Sequence, residues 1–148
     1  LGILSEAELD SRYHVRIERY LKDMLIEMHT MREMADTMVL PAAFRYLGIV
    51  ADAAQKSKAA GIKVNPAAVA ASMLAKRITA LQQRTAALRA AVEKAELMHE
   101  SPAKCAQFLT STGADVMAAV RESSDAIELT IGDEFWPLPR YREMVFPV

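Results

Sequence analysis

Proline and glycine occur at only a few places in this 148-residue chain, and those places divide it into long helix-compatible stretches. The chain has five glycines and six prolines, whereas alanine and the nine methionines favour helix. Asn65-Pro66 and Ser101-Pro102 each place a helix-capping residue directly before a proline, which is typical of a helix start. The sequence therefore predicts an all-α fold built from long antiparallel helices.

Three helical stretches and a tail are expected within a single domain that covers the whole chain. Their approximate bounds are residues 5–60, 66–99, 102–131 and, for an extended tail rich in aromatic residues and proline, 133–148. Ser5 and Glu8 form a capping-box pattern at the first start. Pro41 lacks a backbone N–H, so we expect a kink there. A three-helix bundle results, or a four-helix bundle if the chain bends sharply at Pro41.

Apolar residues recur at helical spacing in each stretch, which predicts one core-facing side per helix. The first side carries Ile17, Leu21, Met24, Met28, Met31, Ala35 and Met38, and continues through Phe44, Leu47 and Val50. The second carries Leu74, Ile78, Leu81, Thr85, Leu88, Val92 and Ala95. The third carries Leu109, Val116, Val120, Ile127 and Ile131.

The first stretch is much longer than the others, about 80 Å against roughly 50 Å and 45 Å at 1.5 Å per residue. Its beginning, about residues 5–25, should therefore extend beyond the bundle. That segment is apolar, with Leu9, Tyr13, Ile17, Tyr20, Leu21, Met24 and Leu25. An exposed apolar segment suggests cover by another domain or subunit. The absence of an initiator Met likewise suggests a longer parent chain.

Charge and cysteine content narrow the class of protein. Eighteen basic and nineteen acidic residues leave a formal charge of −1, so we expect neither nucleic acid nor a membrane as a partner. Charged residues interrupt the apolar stretches, so no membrane span is expected. Cys105 is the only cysteine, which excludes an internal disulfide and fits a cytoplasmic protein.

No complete catalytic, cofactor-binding or metal site is expected. Glu96 and His99 have the spacing found in carboxylate-bridged metal proteins, but a second such motif is missing. Cys105 has no histidine nearby in sequence to activate it and is expected to be structural. His29 lies beside the methionines of the first helix and fits an interface residue. That methionine-rich face is either core or an adaptable binding surface.

Two stretches have sequence motifs more specific than those expected of any amphipathic helix. The first runs from Ser11-Arg-Tyr-His-Val-Arg-Ile-Glu-Arg-Tyr-Leu-Lys-Asp to Met38-Val-Leu-Pro-Ala-Ala-Phe-Arg-Tyr46, and the second is Glu134-Phe-Trp-Pro-Leu-Pro-Arg-Tyr-Arg-Glu-Met-Val-Phe146. Together they resemble the C-terminal region of type III glutamine synthetase. The matching steps are Arg12-Tyr13, Glu18 to Lys22 (one residue longer than in the family), Thr30-Met31, Leu40 to Ala42, and the Trp136-Pro137 ending.

The resemblance implies a longer cytoplasmic parent enzyme, a glutamate–ammonia ligase that uses ATP with Mg²⁺ or Mn²⁺ and forms stacked hexameric rings. The family's catalytic residues lie upstream, and none is carried over to this chain. By this interpretation the chain is a structural and oligomerisation domain that contacts its own catalytic domain and neighbouring subunits. The expected interface residues are Tyr13, Tyr20, Met24, Trp136, Tyr141 and Phe146. The alternatives are a free-standing helical adaptor that binds through a methionine-rich groove and a four-helix metal protein.

Overall fold

The computed structural model describes residues 4–98 and 100–145, and almost all of them are helical. No strand occurs within these two ranges. The all-α fold predicted from the rarity of helix breakers is therefore confirmed. The elements, in chain order, are α1 (Glu6–Met34), a π-helical turn (Ala35–Val39), α2 (Leu40–Ala59), α3 (Pro66–Glu96), α4 (Pro102–Phe108), a second π-helical turn (Leu109–Gly113), α5 (Ala114–Glu128), a 3₁₀ turn (Asp133–Phe135) and α6 (Tyr141–Val145).

Local capping explains where the long helices begin. The backbone N–H and the hydroxyl of Ser5 both lie 2.8 Å from a carboxylate oxygen of Glu8, whose own N–H donates to the Ser5 hydroxyl. The capping box expected from the sequence is therefore present. Asn65 caps α3 by accepting a hydrogen bond from the backbone N–H of Ala68. Ser101 precedes α4 without a side-chain capping bond.

The first π-helical turn lies directly before Pro41 and lets the helix continue through it. The N–H of Leu40 donates to the carbonyl of Ala35, five residues earlier. Helical structure therefore runs unbroken from Glu6 to Ala59, because the irregular hydrogen bonding accommodates a residue that cannot donate. An unbroken helical stretch favours the three-helix alternative over the sharply bent four-helix one.

Side-chain contacts give the direction of each helix relative to α3. His29 contacts Glu96, Asp36 contacts Arg89, and Ala54 accepts a hydrogen bond from Asn65, so α3 passes the first stretch in the reverse direction. The pairs between α3 and α5 are also reversed, with Arg77 bound to the carbonyl of Ala126 and Arg84 to that of Ala119. The helical stretches thus run up, down and up.

The core lies between these stretches, and α3 supplies more of its buried residues than any other element. All seven residues predicted for the second helical face are buried. In the first stretch the pattern is partly wrong. Met38 is only half-buried and Phe44 is 49% exposed, whereas Val39, Ala42 and Ala43 are buried. A π-helical turn contains one extra residue, which rotates the faces that follow it by about 100° relative to a regular helix.

The helix ends and the tail differ from the expected bounds. Leu97 and Met98 form a turn beyond α3, and His99 lies outside the described residues. Leu129 and Thr130 form a turn after α5. The tail is not extended throughout, because a 3₁₀ turn precedes Trp136 and α6 follows Arg140. Only residues 136–140, which include both tail prolines that precede α6, lack helical structure.

The helical stretch Glu6–Ala59 is long and apolar enough to cross a membrane, judged by length and composition alone. Charged residues such as Asp36 and Arg45 still interrupt this stretch, so the expectation that it does not span a membrane stays a prediction. A core helix meets the same criterion, and Met28, Val39 and Ala43 of this stretch belong to the buried core cluster. Apolar character here is therefore accounted for in part by packing within the chain.

Candidate interaction surface

A groove of about 640 Å³ runs between α1, the first π-helical turn, α5 and the tail. We call it the methionine groove because three methionines line it. Its lining residues are Ile26, Glu27, Thr30, Met31, Met34, Ala35, Val39, Met117, Val120, Arg121, Ser124, Asp125, Glu128, Trp136, Leu138 and Pro139. This volume lies within the range of about 300–1,000 Å³ that is typical of ligand pockets, and it is far larger than a single ion needs.

Buried residues form the floor of the groove and exposed apolar residues form its wall. Ala35, Val39 and Val120 are buried, whereas Ile26 is 62% exposed. Methionine side chains are flexible and polarizable, so a wall that contains Met34 adapts to different partner side chains. The methionine groove therefore offers a partly preformed apolar surface.

Arg140 fixes the tail that forms one side of the groove. Its guanidinium donates to the carbonyl of Ile131 at 3.1 Å and to that of Glu128 at 3.5 Å, and it forms an ion pair with Asp133 at 2.8 Å. Glu128 is the last residue of α5, and the last carbonyls of a helix lack partners within it, so Arg140 supplies a donor to one of them. The result is that Trp136 is held against the core with a half-buried side chain.

The rim of the methionine groove carries an excess of negative charge. Glu27, Asp125 and Glu128 face a single basic residue, Arg121. Arg121 already lies 3.9 Å from Asp125 within α5. The apolar lining and acidic rim together favour a partner that combines apolar side chains with basic ones.

The beginning of α1 forms a second exposed apolar surface, but a shorter one than expected. Leu9 is 61% exposed and Tyr13 is 52% exposed. Further along, α4 and the π-helical turn that follows it pack on α1, and the Tyr20 hydroxyl lies 2.9 Å from that of Thr110 in this turn. Ile17, Leu21, Met24 and Leu25 are consequently half-buried. A short α4 that begins beyond the end of α3 explains the difference.

The structure does not bring the six predicted interface residues into one patch. Tyr13 is exposed, Tyr20 and Met24 are half-buried beside α4 and the core, and Trp136 lines the methionine groove. Tyr141 begins α6, but its side chain and the whole of Phe146 lie outside the described part of the chain. That these six residues form an interface remains a prediction.

The α5 side of the groove was not predicted. Met117, Arg121, Asp125 and Glu128 recur at helical spacing on one face of α5. Their helical spacing was the available sequence signal, but three of these four residues are charged, as is usual on an exposed helix face.

The polar residues singled out for chemistry have structural partners. Nε2 of His29 lies 3.1 Å from a carboxylate oxygen of Glu96, so Glu96 already has a partner on α1. No group of three or more potential metal ligands occurs among the described residues. Cys105 is buried, its thiol donates to the carbonyl of Ala95 at 3.5 Å, and burial raises the pKa of that thiol. A raised pKa keeps the thiol protonated and weakly nucleophilic.

Comparison with known proteins adds an independent line of evidence. Residues 1–58 match the family model described as the glutamine synthetase C-terminal domain. The type-3 glutamine synthetase of Dictyostelium discoideum is 28% identical over 98% of this chain, and a glutamine synthetase of Bacteroides fragilis is 25% identical over 97%. The chain spans about a fifth of the length of each relative, 20% in both cases.

These matches confirm the resemblance found from the two sequence stretches. The family model covers α1, the first π-helical turn and all but the last residue of α2, and this region contains the first stretch. The tail stretch lies beyond the family model, whereas the relatives match 98% and 97% of the chain, which leaves only a few residues unmatched.

Proposed function

The chain resembles the C-terminal region of type III glutamine synthetase, and from that premise we propose that it is a structural and oligomerisation domain of a glutamine synthetase. The domain would hold subunits together without contributing a catalytic group. The observation that carries this proposal is the exposed apolar surface at the beginning of α1, with Leu9 and Tyr13, inside the segment that matches the family model. An apolar surface of this kind is stable when another part of an assembly covers it.

The activity proposed for the whole protein is that of a glutamate–ammonia ligase. ATP would phosphorylate glutamate, and ammonia would then displace phosphate, with Mg²⁺ or Mn²⁺ held by the catalytic domain. This chain would contribute no ligand to the metal or the nucleotide. Its partners would be its own catalytic domain and neighbouring subunits in stacked hexameric rings, within the cytoplasm.

The finer architecture is also part of the proposal. We propose that residues 1–148 form one domain, a three-stretch antiparallel bundle in which the first helix is kinked at Pro41. The π-helical turn before Pro41 supports the kink, since irregular hydrogen bonding of this type bends helices. The aromatic tail would anchor the bundle to its neighbours through Trp136 and, by prediction, Tyr141 and Phe146.

The test begins with the native full-length polypeptide that carries this sequence. It is captured with an antibody raised against residues 1–148 and assayed for formation of glutamine from glutamate, ammonia and ATP. Omission of ATP and omission of ammonia are the controls. ATP-dependent glutamine formation supports the proposal. An inactive polypeptide of about 148 residues would contradict it.

A second candidate function is a free-standing helical adaptor, and the methionine groove is the observation that favours it. An amphipathic helix lays its apolar side chains into a groove of this kind. An adaptor would be active as a polypeptide of about this length and would bind a partner without any ligase activity. The same capture experiment separates the two candidates.

A further inference from the structure

One face of α1 carries two surfaces that lie a whole number of helical turns apart. At 3.6 residues per turn, 18 residues make about five turns, so residues 18 positions apart face the same side. Leu9, Arg12, Tyr13 and Arg16 are related in this way to Glu27, Thr30, Met31 and Met34. The second set lines the methionine groove. The exposed beginning of α1 and the α1 side of the groove therefore lie along one side of one helix.

The two surfaces are complementary in chemistry. The first offers Leu9 and Tyr13, each more than half exposed, beside the exposed cations Arg12 and Arg16. The second offers the apolar groove with its acidic rim. Among the described residues, Arg16 and Glu27 make neither a hydrogen bond nor an ion pair with another side chain. Both charges are therefore available to a partner.

We propose that two copies of this chain pair through α1, with the two helices antiparallel across a two-fold axis. In this arrangement the beginning of α1 from each copy lies in the methionine groove of the other. Leu9 of one copy faces Met34 of the second, and Arg16 faces Glu27. Because the axis relates the copies, every such contact occurs twice.

The length and charge of α1 support a second copy as the occupant. The segment from Leu9 to Met34 is regular helix over 26 residues, about 39 Å at 1.5 Å per residue. Reversing one copy along this segment brings Arg12 and Arg16 beside the acidic rim at both ends. One chain thus supplies both the apolar helix and the groove, and no additional protein is needed. The inference rests on the proposed role in assembly and names the partner and the surface.

The test uses charge reversal in the full-length polypeptide. Arg16→Glu and Glu27→Arg each place like charges together at both ends of the pair. Each should raise the protein concentration at half-dissociation at least about tenfold, measured by analytical ultracentrifugation. Lys22→Glu is the matched control, because it makes the same charge change on α1 but lies about 120° around the helix from Arg16. It should leave dissociation unchanged.

Mixing the two variants gives the sharpest result. When Arg16→Glu and Glu27→Arg chains carry different affinity tags and are expressed together, a basic side chain faces an acidic one at each end of the mixed pair. Mixed pairs should therefore be captured in preference to either single-variant pair and should dissociate at the wild-type concentration. Arg16 and Glu27 are eleven positions apart on one helix, so they cannot contact each other within one chain. Recovery of wild-type pairing in the mixed pair would therefore show that they contact each other between chains.

Disulfide trapping provides a second readout that does not depend on charge. Co-expressed Leu9→Cys and Met34→Cys chains should form an interchain disulfide under mild oxidation, whereas Leu9→Cys with Val64→Cys, an exposed position in the α2–α3 loop, should not. Two results together would overturn the pairing. Both single charge variants would dissociate at the wild-type concentration, and no disulfide would form between Leu9→Cys and Met34→Cys chains. If glutamine still forms in that case, the proposed function stands and only the pairing is wrong.

Discussion

At the residue scale, two glycines inside helices differ in the space around them. A Cβ added at Gly48 would meet no atom within 4 Å, whereas one added at Gly113 would lie 3.3 Å from Cδ2 of Leu109 and 3.8 Å from Sδ of Met28. Gly113 lies at the end of the second π-helical turn, where that turn packs on α1. The absence of a side chain at Gly113 therefore permits close packing, whereas Gly48 has room for a side chain.

This difference predicts opposite responses to the same substitution. Gly48→Ala should raise the free energy of unfolding by about 0.5–1 kcal/mol, because alanine favours helix over glycine. Gly113→Ala should gain less or lose stability, because Leu109 must move to admit the new methyl group. Urea denaturation followed by far-UV circular dichroism measures both. Equal stabilisation by the two variants would mean that the packing around Gly113 is looser than described.

At the element scale, the caps of α3 and α4 form a natural comparison. Asn65 accepts from the N–H of Ala68 at 3.1 Å and donates to the carbonyl of Ala54 at 2.7 Å, so it joins the end of α2 to the start of α3. Asn65→Ala should therefore cost about 1–2 kcal/mol. Ser101→Ala removes no capping bond and should cost less than about 0.5 kcal/mol. Urea denaturation measures the free energy of unfolding of both variants. Similar losses for Asn65→Ala and Ser101→Ala would argue against a stabilising role for the two hydrogen bonds of Asn65.

The start of α1 should depend on pH. Hydrogen bonds from the backbone N–H and the hydroxyl of Ser5 hold the pKa of Glu8 below its ordinary value of 4.5. A carboxyl group with a lowered pKa stabilises the folded form above its unfolded pKa, and this contribution is lost as the pH falls through the folded pKa. The first turn of α1 should therefore fray below about pH 4.5.

Chemical shifts of residues 6–9 in an NMR titration measure this fraying. Glu8→Gln keeps a side-chain acceptor at every pH, so its first turn should show no such transition. A transition of equal size in the variant would show that another group is responsible.

Local signals explain why some elements were predictable and others were not. Asn65, Pro66 and the Ser5–Glu8 pair act within a few residues, so the starts of α1 and α3 could be predicted from the sequence. The buried face of α3 was also predictable, because its period is regular from Leu74 to Ala95. The π-helical turns have no comparable signature, and a regular helical period continued through them places Met38 and Phe44 on the wrong face.

At the scale of the whole molecule, the methionine groove could be predicted only in part. The methionine-rich face of α1 was visible in the sequence, but its opposite wall depends on how α5 and the tail pack beside it. That packing is set by long-range contacts, such as those of Arg77 and Arg84 with α5 and of Arg140 with the carbonyl of Glu128 at the C-terminal end of α5. No local pattern reports such pairings. The same contacts decide which part of α1 is covered and which part stays exposed.

Trp136 is the residue through which the tail should influence assembly. It lines the methionine groove and packs against the core, and buried aromatic side chains contribute strongly to interfaces. Trp136→Ala should therefore weaken assembly more than it weakens glutamine formation per subunit. Leu129→Ala is the matched control, because Leu129 is 87% exposed and lies outside the groove.

The account's central claim is that this domain serves assembly and not chemistry, and one measurement on the full-length polypeptide tests it. Native mass and ATP-dependent glutamine formation per subunit are determined on the same preparations of wild type, Trp136→Ala and Leu129→Ala. We predict that Trp136→Ala lowers the native mass by more than it lowers activity, while Leu129→Ala matches wild type in both. An intact native mass for Trp136→Ala, or a loss of glutamine formation with assembly unchanged, would contradict the claim.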